Sequence, residues 1–342
     1  MLKRYYFRVL ILVFMMPVMV AGQDINFSQF YEMPLLRNPS LAGMYKGDMK
    51  LSTAYRNQWQ SVTSPYKTYA LGFEYKSALS QNSPDFLSIG LQMTNDLAGD
   101  SKMGKTQMLP MVTYHKLIFG PSNTYLSLGF IGGPVQQKYD PTGLTFDDQF
   151  VDGNYSPLNP TRQSFTRSNL MYFDAGFGVN VSSELGATKV YAGTAYFHFT
   201  QPKVAYTAIN DIRLNKKLAV NMGLNSPLSD YDNVIMYGDV FFQGGSSQFQ
   251  GGALLMHHSQ EIDEEEGLGI GVGAFYRWND AFIPVLKMDW YKISLGVTYD
   301  VNVGPLKTAS MRRGGLEMAV TYKTYLNIMN SSLQKVRCVV PF

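Results

Sequence analysis

From residue 48 to residue 325 the dominant repeat of apolar and polar positions is two. That is the period of a pleated strand with two different faces. Leu51, Thr53 and Tyr55 alternate with Lys50, Ser52, Ala54 and Arg56. Tyr69, Leu71, Phe73 and Tyr75 alternate with Ala70, Gly72 and Glu74. The same pattern recurs at 87–94, 267–274, 293–300 and 316–323. Split at turn signals, it predicts strands over 48–57, 67–76, 86–96, 106–118, 123–135, 168–180, 187–199, 216–226, 233–243, 247–257, 266–277, 281–290, 291–300 and 315–325, which is fourteen. The 290/291 break has no turn residue to mark it.

The two faces decide the architecture. The apolar faces are broad and carry aromatic residues near their ends, as at Tyr55, Trp59, Tyr75, Trp278 and Trp290. The opposite faces hold Gly, Ser, Thr, Ala and Asn with few charges, whereas a soluble sandwich turns a charged face to water. Lipid outside and small or polar residues inside is the pattern of a transmembrane β-barrel. Segments of this length also suit a tilted membrane strand of ~9–11 residues. The predicted fold is therefore all-β: an antiparallel transmembrane barrel of about fourteen strands, with closure satisfying every strand edge. An even count places both termini on the periplasmic side. The connections 97–105, 136–167, 200–215 and 301–314 then face outward, and 119–122 and 182–186 are short periplasmic turns. Gly244-Gly245-Ser246 is an outward turn that is short.

The stretch 24–43 breaks the pattern. It is aromatic and apolar, but Pro34 and Pro39 interrupt any regular element, and Asn38-Pro39 followed by Gly43 predicts an ordered turn. A fourteen-stranded barrel has a lumen too wide for small inward residues to fill. The stretch is expected to enter and occlude it, with Phe27, Phe30, Tyr31, Pro34 and Leu35 packing there and Asn38-Pro39 turning the chain. Arg37 would meet a lumen carboxylate such as Glu74 or Asp174. The competing expectation is a segment resting on the barrel rim or on a partner. Before it, Lys3, Arg4 and Arg8 precede an apolar run at 9–20 and the small residues Ala21 and Gly22, which predicts a signal peptide cut before Gln23. The expected organisation is a signal peptide at 1–22, a plug or rim segment at 23–47, a barrel at 48–325 and a periplasmic tail at 326–342.

Composition narrows the function. Charged residues make up 16% and aromatics 14%, against roughly 25% charged in an average soluble domain. A net charge of +3 is too small to argue for nucleic acid. The single cysteine, Cys338, excludes an internal disulfide. His115, His198, His257 and His258 lack metal-ligand spacing, and a Ser-His pair at His198 is a remote option. The acidic run at 261–266 lacks the Asp/Asn/Gly spacing of a calcium loop. No catalytic residue, metal or cofactor is expected. The 136–167 connection is too long to be a neutral turn. Its Phe146, Asp147, Gln149, Phe150 and Tyr155 suggest an ordered surface loop that binds a partner.

Several short motifs carry a resemblance. They are Phe27-Ser28-Gln29-Phe30-Tyr31, Asn38-Pro39, Tyr55-Arg56-Asn57-Gln58-Trp59, Asp96-Leu97-Ala98-Gly99 and Phe146-Asp147-Asp148-Gln149. Further ones are Phe173-Asp174-Ala175-Gly176, Gly296-Val297-Thr298-Tyr299-Asp300-Val301-Asn302 and Gly314-Gly315-Leu316-Glu317. With them the chain resembles the PorP/SprF family of outer-membrane proteins associated with type IX secretion and gliding. The resemblance implies an accessory barrel, not an enzyme, supporting secretion or surface attachment of an adhesin through the adhesin's C-terminal domain. It also implies periplasmic peptidoglycan-associated or other secretion components as partners, beside outer-membrane lipid. Docking would use the outward loops 136–167, 200–215 and 301–314. Two alternatives are a channel or transporter for small or hydrophobic solutes and a purely structural anchor.

Overall fold

The computed structural model describes residues 24–326, apart from 61–63, 81–82, 100, 141–143, 152, 157, 163–166, 207–210 and 260–266. The expected signal peptide, the acidic run at 261–266, Cys338 and nearly all of the tail lie outside the described residues.

Fourteen antiparallel strands close into one barrel. Its first five strands are β1 (Met49–Gln58), β2 (Tyr66–Ala78), β3 (Phe86–Ala98), β4 (Met103–Phe119) and β5 (Thr124–Lys138). A small hairpin, β6 (Phe150–Val151) and β7 (Asn154–Tyr155), stands apart in the following connection. The barrel resumes with β8 (Asn169–Leu185), β9 (Thr188–Phe197), β10 (Lys217–Pro227), β11 (Asp232–Gln243), β12 (Ser246–His258), β13 (Leu268–Arg277), β14 (Ala281–Trp290), β15 (Ile293–Asn302) and β16 (Arg313–Thr324). Each strand pairs with its neighbour in chain order, and β16 closes on β1. The fourteen barrel strands coincide with the fourteen predicted ones, including the break after Trp290. There β14 turns into β15 through two residues, with Tyr291 at a φ of 52°.

The faces are those the alternation implied. Leu51, Leu71, Phe73, Ile270 and Val272 point outward and are exposed, while Ala54, Ala70, Glu74 and Gln92 are buried toward the lumen. Trp278 and Trp290 sit exposed at opposite strand ends. In a membrane this outward surface faces lipid, and the aromatic residues mark its edges.

Strands run longer than the apolar pattern does. Ala98 pairs with Met103, Lys138 with Asn169 and Leu185 with Thr188. The connection foreseen at 97–105 is therefore only 99–102, and the turn foreseen at 182–186 is 186–187. Beyond the apolar band nothing forces alternation, so hydrogen-bonded pairing continues where the sequence signal has stopped. The long connections, 139–168, 198–216 and 303–312, all leave one end of the barrel. Both ends of the ring, Met49 and Thr324, lie at the other.

Candidate functional site

Residues 24–48 contain no strand and lie inside the lumen. Three 3-10 turns, Phe30–Glu32, Pro34–Leu36 and Pro39–Leu41, fold the segment. Pro34 and Pro39 each begin a turn, where a missing N–H costs nothing. The predicted Asn-Pro turn is present: Asn38 Oδ1 accepts from the Ser40 N–H at 3.0 Å and the Ser40 hydroxyl at 2.6 Å. Gly43 has a φ of +75°, and a Cβ there would strike Ser88. Only glycine suits that position.

Apolar packing seats the segment on the wall at several places. Phe30 meets Phe275 edge-on at 5.3 Å, and Tyr31 stacks on Tyr237 at 4.9 Å. Leu35 packs among Leu109, Met111 and Ile131. Phe27 and Met33 lie against Ala54, Ala70 and Ala319. Phe27, Phe30, Tyr31, Leu35, Arg37, Asn38 and Pro39 are all buried, and Pro34 is half-buried. Where the segment comes closest, the wall is glycine. A Cβ on Gly129 would lie 2.5 Å from the Pro39 carbonyl carbon, and one on Gly178 or Gly193 would strike the Asn38 amide. The sequence showed these glycines only as small residues of a lumen face.

Polar contacts fix the orientation. Arg37 does not meet Glu74 or Asp174. Its Nε and Nη2 donate to Asp239 at 2.7 and 2.6 Å, and Nη2 also donates to the Tyr191 hydroxyl at 3.0 Å. Glu74 instead accepts from the Gly43 N–H at 2.9 Å and pairs with Lys50 at 3.4 Å. Asp174 is held by His198 at 2.7 Å. The N–H groups of Ser28 and Gln29 donate to the two oxygens of Glu317 at 2.7 and 2.6 Å. Glu32 pairs with Lys287 at 2.7 Å and accepts from Thr321 at 2.9 Å. Burial would raise the Glu32 pKa, but Lys287, Lys323 and Lys50 hold it at about 2.

Asp24 anchors the start of the segment at the long-loop end. It pairs with Lys105 at 3.2 Å, His198 at 2.6 Å and Lys217 at 3.6 Å. Burial alone would raise its pKa, yet the cations hold it well below the usual carboxylate range. Burial alone would lower the pKa of His198, but Asp24 and Asp174 lift it to about 9. A raised folded-state pKa contributes stability fully present below the unfolded value near 6.5 and lost as pH rises through about 9. The melting temperature of the barrel is therefore expected to fall between pH 6.5 and 9, and His198→Gln is expected to flatten that slope. A slope unchanged by the substitution would contradict the assignment.

Among the described residues of the 139–168 connection, hydrogen bonds gather on Gln149. The Gln149 side chain accepts from the Phe146 N–H at 3.1 Å and donates to the Asn159 carbonyl at 3.0 Å, while Asn159 donates back at 2.9 Å. Gln149 is buried and so braces the loop instead of presenting itself to a partner, which corrects its expected role. Phe146 is half-buried and Asp147 exposed. Phe150, Val151, Tyr155 and Leu158 are exposed, Leu158 at 91%. Phe150 and Tyr155 pair across the hairpin.

The sequence matches the family model described as "Type IX secretion system membrane protein PorP/SprF" over residues 19–322. The chain belongs to the PorP/SprF family. A comparison with curated proteins finds no significant match. Among solved structures it is similar to CdiB from Escherichia coli (7% identity, 80% of this chain, 63% of that one, TM-score 0.43). It is also similar to the CymD monoaromatic hydrocarbon channel (11%, 90% and 96%, 0.43) and to a Pseudomonas aeruginosa FadL homologue (8%, 84% and 94%, 0.45). The chain spans about 60% of the length of the CdiB chains. No role is carried over from these structures.

In this PorP/SprF barrel, motifs distant in sequence converge on the plug. Ser28 of the first motif donates to Asp300 at 2.5 Å, and Asp300 pairs with Arg56 at 2.8 Å and Arg277 at 3.1 Å. Arg56 also donates to the Asn26 carbonyl. Gln29 donates to the Gly296 carbonyl at 3.3 Å. Asp239 was not singled out in the sequence, and Asp300 and Glu317 stood there only as members of motifs, although each is a charge on an otherwise small-residue face. Among the described residues His198 bonds two aspartates and no serine. The Ser-His contacts fall at His115, between Ser88 at 3.3 Å and Ser127 at 2.7 Å, with its ring stacked on Phe86 and fully buried. Among the described residues no group of His, Cys, Asp and Glu is placed to hold a metal ion.

Proposed function

We propose that this PorP/SprF barrel is a non-enzymatic outer-membrane accessory of type IX secretion, exported through its N-terminal signal peptide. In this proposal it supports secretion or surface attachment of an adhesin by binding the adhesin's C-terminal domain at the long-loop end, which faces outward. The observation that carries the proposal is the bracing of Phe146, Gln149 and Asn159 in the 139–168 connection, beside which Phe150, Val151, Tyr155 and Leu158 are exposed. Exposed apolar and aromatic side chains on an ordered scaffold are what a protein partner buries. The short-turn end then faces the periplasm and the peptidoglycan-associated components of the system. Deleting 140–160 is expected to abolish surface retention of the adhesin while the barrel still assembles, as read by heat-modifiable migration. Normal retention by the deletion variant would refute the proposal.

A further inference from the structure

On the short-turn side of the plug the lumen keeps a chamber that the segment does not fill. Its wall includes Tyr31, Glu32, Lys50, Glu74, Lys287 and Lys323. We propose that this chamber binds an oxyanion, a carboxylate or phosphate group, held chiefly by Lys323 and Lys50.

At the chamber wall itself lysines outnumber acids. Three ammonium groups, of Lys50, Lys287 and Lys323, face two carboxylates, of Glu32 and Glu74. Both carboxylates are already engaged at each oxygen. Glu32 takes Lys287 and Thr321, and Glu74 takes Lys50 and the Gly43 N–H. Arg37, which also borders the chamber, is committed to Asp239. The Lys323 ammonium makes no hydrogen bond or ion pair among the described residues. Besides lying over the Tyr45 ring, Lys50 has one ion pair, at 3.4 Å, for three donor hydrogens among the described residues. Asp289, the next acid along the lumen face of β14, lies outside the chamber wall and forms no ion pair with Lys323, although its charge acts on both Lys323 and Lys287.

A second observation points the same way. The Tyr31 hydroxyl is buried at the chamber wall with no hydrogen-bond partner, in a residue 8% exposed. Burial pushes its pKa well above the ordinary value, so it stays a neutral donor. A buried donor without an acceptor is costly, and an ammonium held in a confined site without a directly bonded acceptor costs more. One singly charged oxyanion relieves both. It does so without displacing any contact that seats the plug.

The test uses the full-length barrel in detergent micelles at constant ionic strength. Inorganic phosphate and acetate are titrated separately, with chloride as control, by calorimetry and by melting temperature. Saturable binding of phosphate, acetate or both, with chloride inert, is expected. Acetate alone identifies a carboxylate site and phosphate alone a phosphoryl site. Lys323→Gln is expected to weaken binding about tenfold or more, the scale of a lost charge-assisted contact, and Lys323→Arg to retain it. Tyr31→Phe, which removes only an unpartnered oxygen, provides a second variant whose stacking is preserved and is expected to weaken binding several-fold. No saturable binding by the native barrel, or equal affinity in the native protein, Lys323→Gln and Tyr31→Phe, overturns the proposal.

Discussion

Replacing Arg37 with alanine is expected to destabilise the seated plug by about 3–5 kcal/mol, the cost of stripping one partner from a buried ion pair. Asp239 is fully buried and accepts both guanidinium hydrogen bonds together with one from Asn221 at 2.9 Å. With Arg37 gone, Asn221 and Gln250 remain as neutral donors near an uncompensated carboxylate. The cation also lies 4.9 Å from the Phe30 ring centre, so aromatic packing is loosened with it. The measurement is the melting temperature of the folded barrel, combined with protease access to residues 24–48. Arg37→Ala with Asp239→Ala should recover part of the loss, because the stranded charge is then absent. A single variant as stable and as protected as the native protein would show that the pair does not hold the plug.

Removing residues 24–43 is expected to convert a closed barrel into an open one. The native protein in a planar bilayer should show no conductance, and the deletion variant should show stable steps. The segment contacts strands around the whole ring: Glu74 of β2, Thr113 of β4, Val179 of β8, Asp239 of β11, Lys287 of β14 and Glu317 of β16 each bond it. The emptied wall would expose Arg56, Arg277, Asp239, Asp300 and Glu317 to water, which suits a hydrated pore and not a collapsed one. If the deletion variant folds and still conducts nothing, residues 24–43 are not what closes the barrel.

The strands were legible because lipid imposes a strict rule. One face must be apolar along its whole length, so a period of two survives in the sequence without any knowledge of neighbours. Strand ends were not legible, since outside that band pairing continues through polar residues such as Lys138 and Asn169. The plug announced itself by breaking the rule, and Pro34, Asn38 and Pro39 disclosed its turns. Its partners were hidden. Arg37 had several lumen carboxylates available, and the choice of Asp239 over Glu74 and Asp174 depends on barrel registry, not on any local pattern. Gln149 misled for a related reason. A polar residue in a long loop reads as surface until Asn159, ten positions away, is seen to close on it.

The height at which each end of the plug is fixed has a consequence for assembly. Asp24 is tied at the long-loop end, and Asp48 lies at the other, where its N–H meets the Thr324 carbonyl at 2.8 Å. The segment thus runs through the ring and then becomes the first staple of its wall. Once the ring is shut, residue 24 reaches its place only by passing lengthwise through a narrow, crowded bore. The natural order is for residues 24–48 to be laid down while β1 and β16 are still apart. The final joint carries this order in its chemistry. Arg56 of β1 faces Glu317 of β16 across the seam, and each is bonded to the segment, through Asn26 and through Ser28 and Gln29. The earliest stretch of the barrel chain thereby bonds both strands of the seam at which the ring closes.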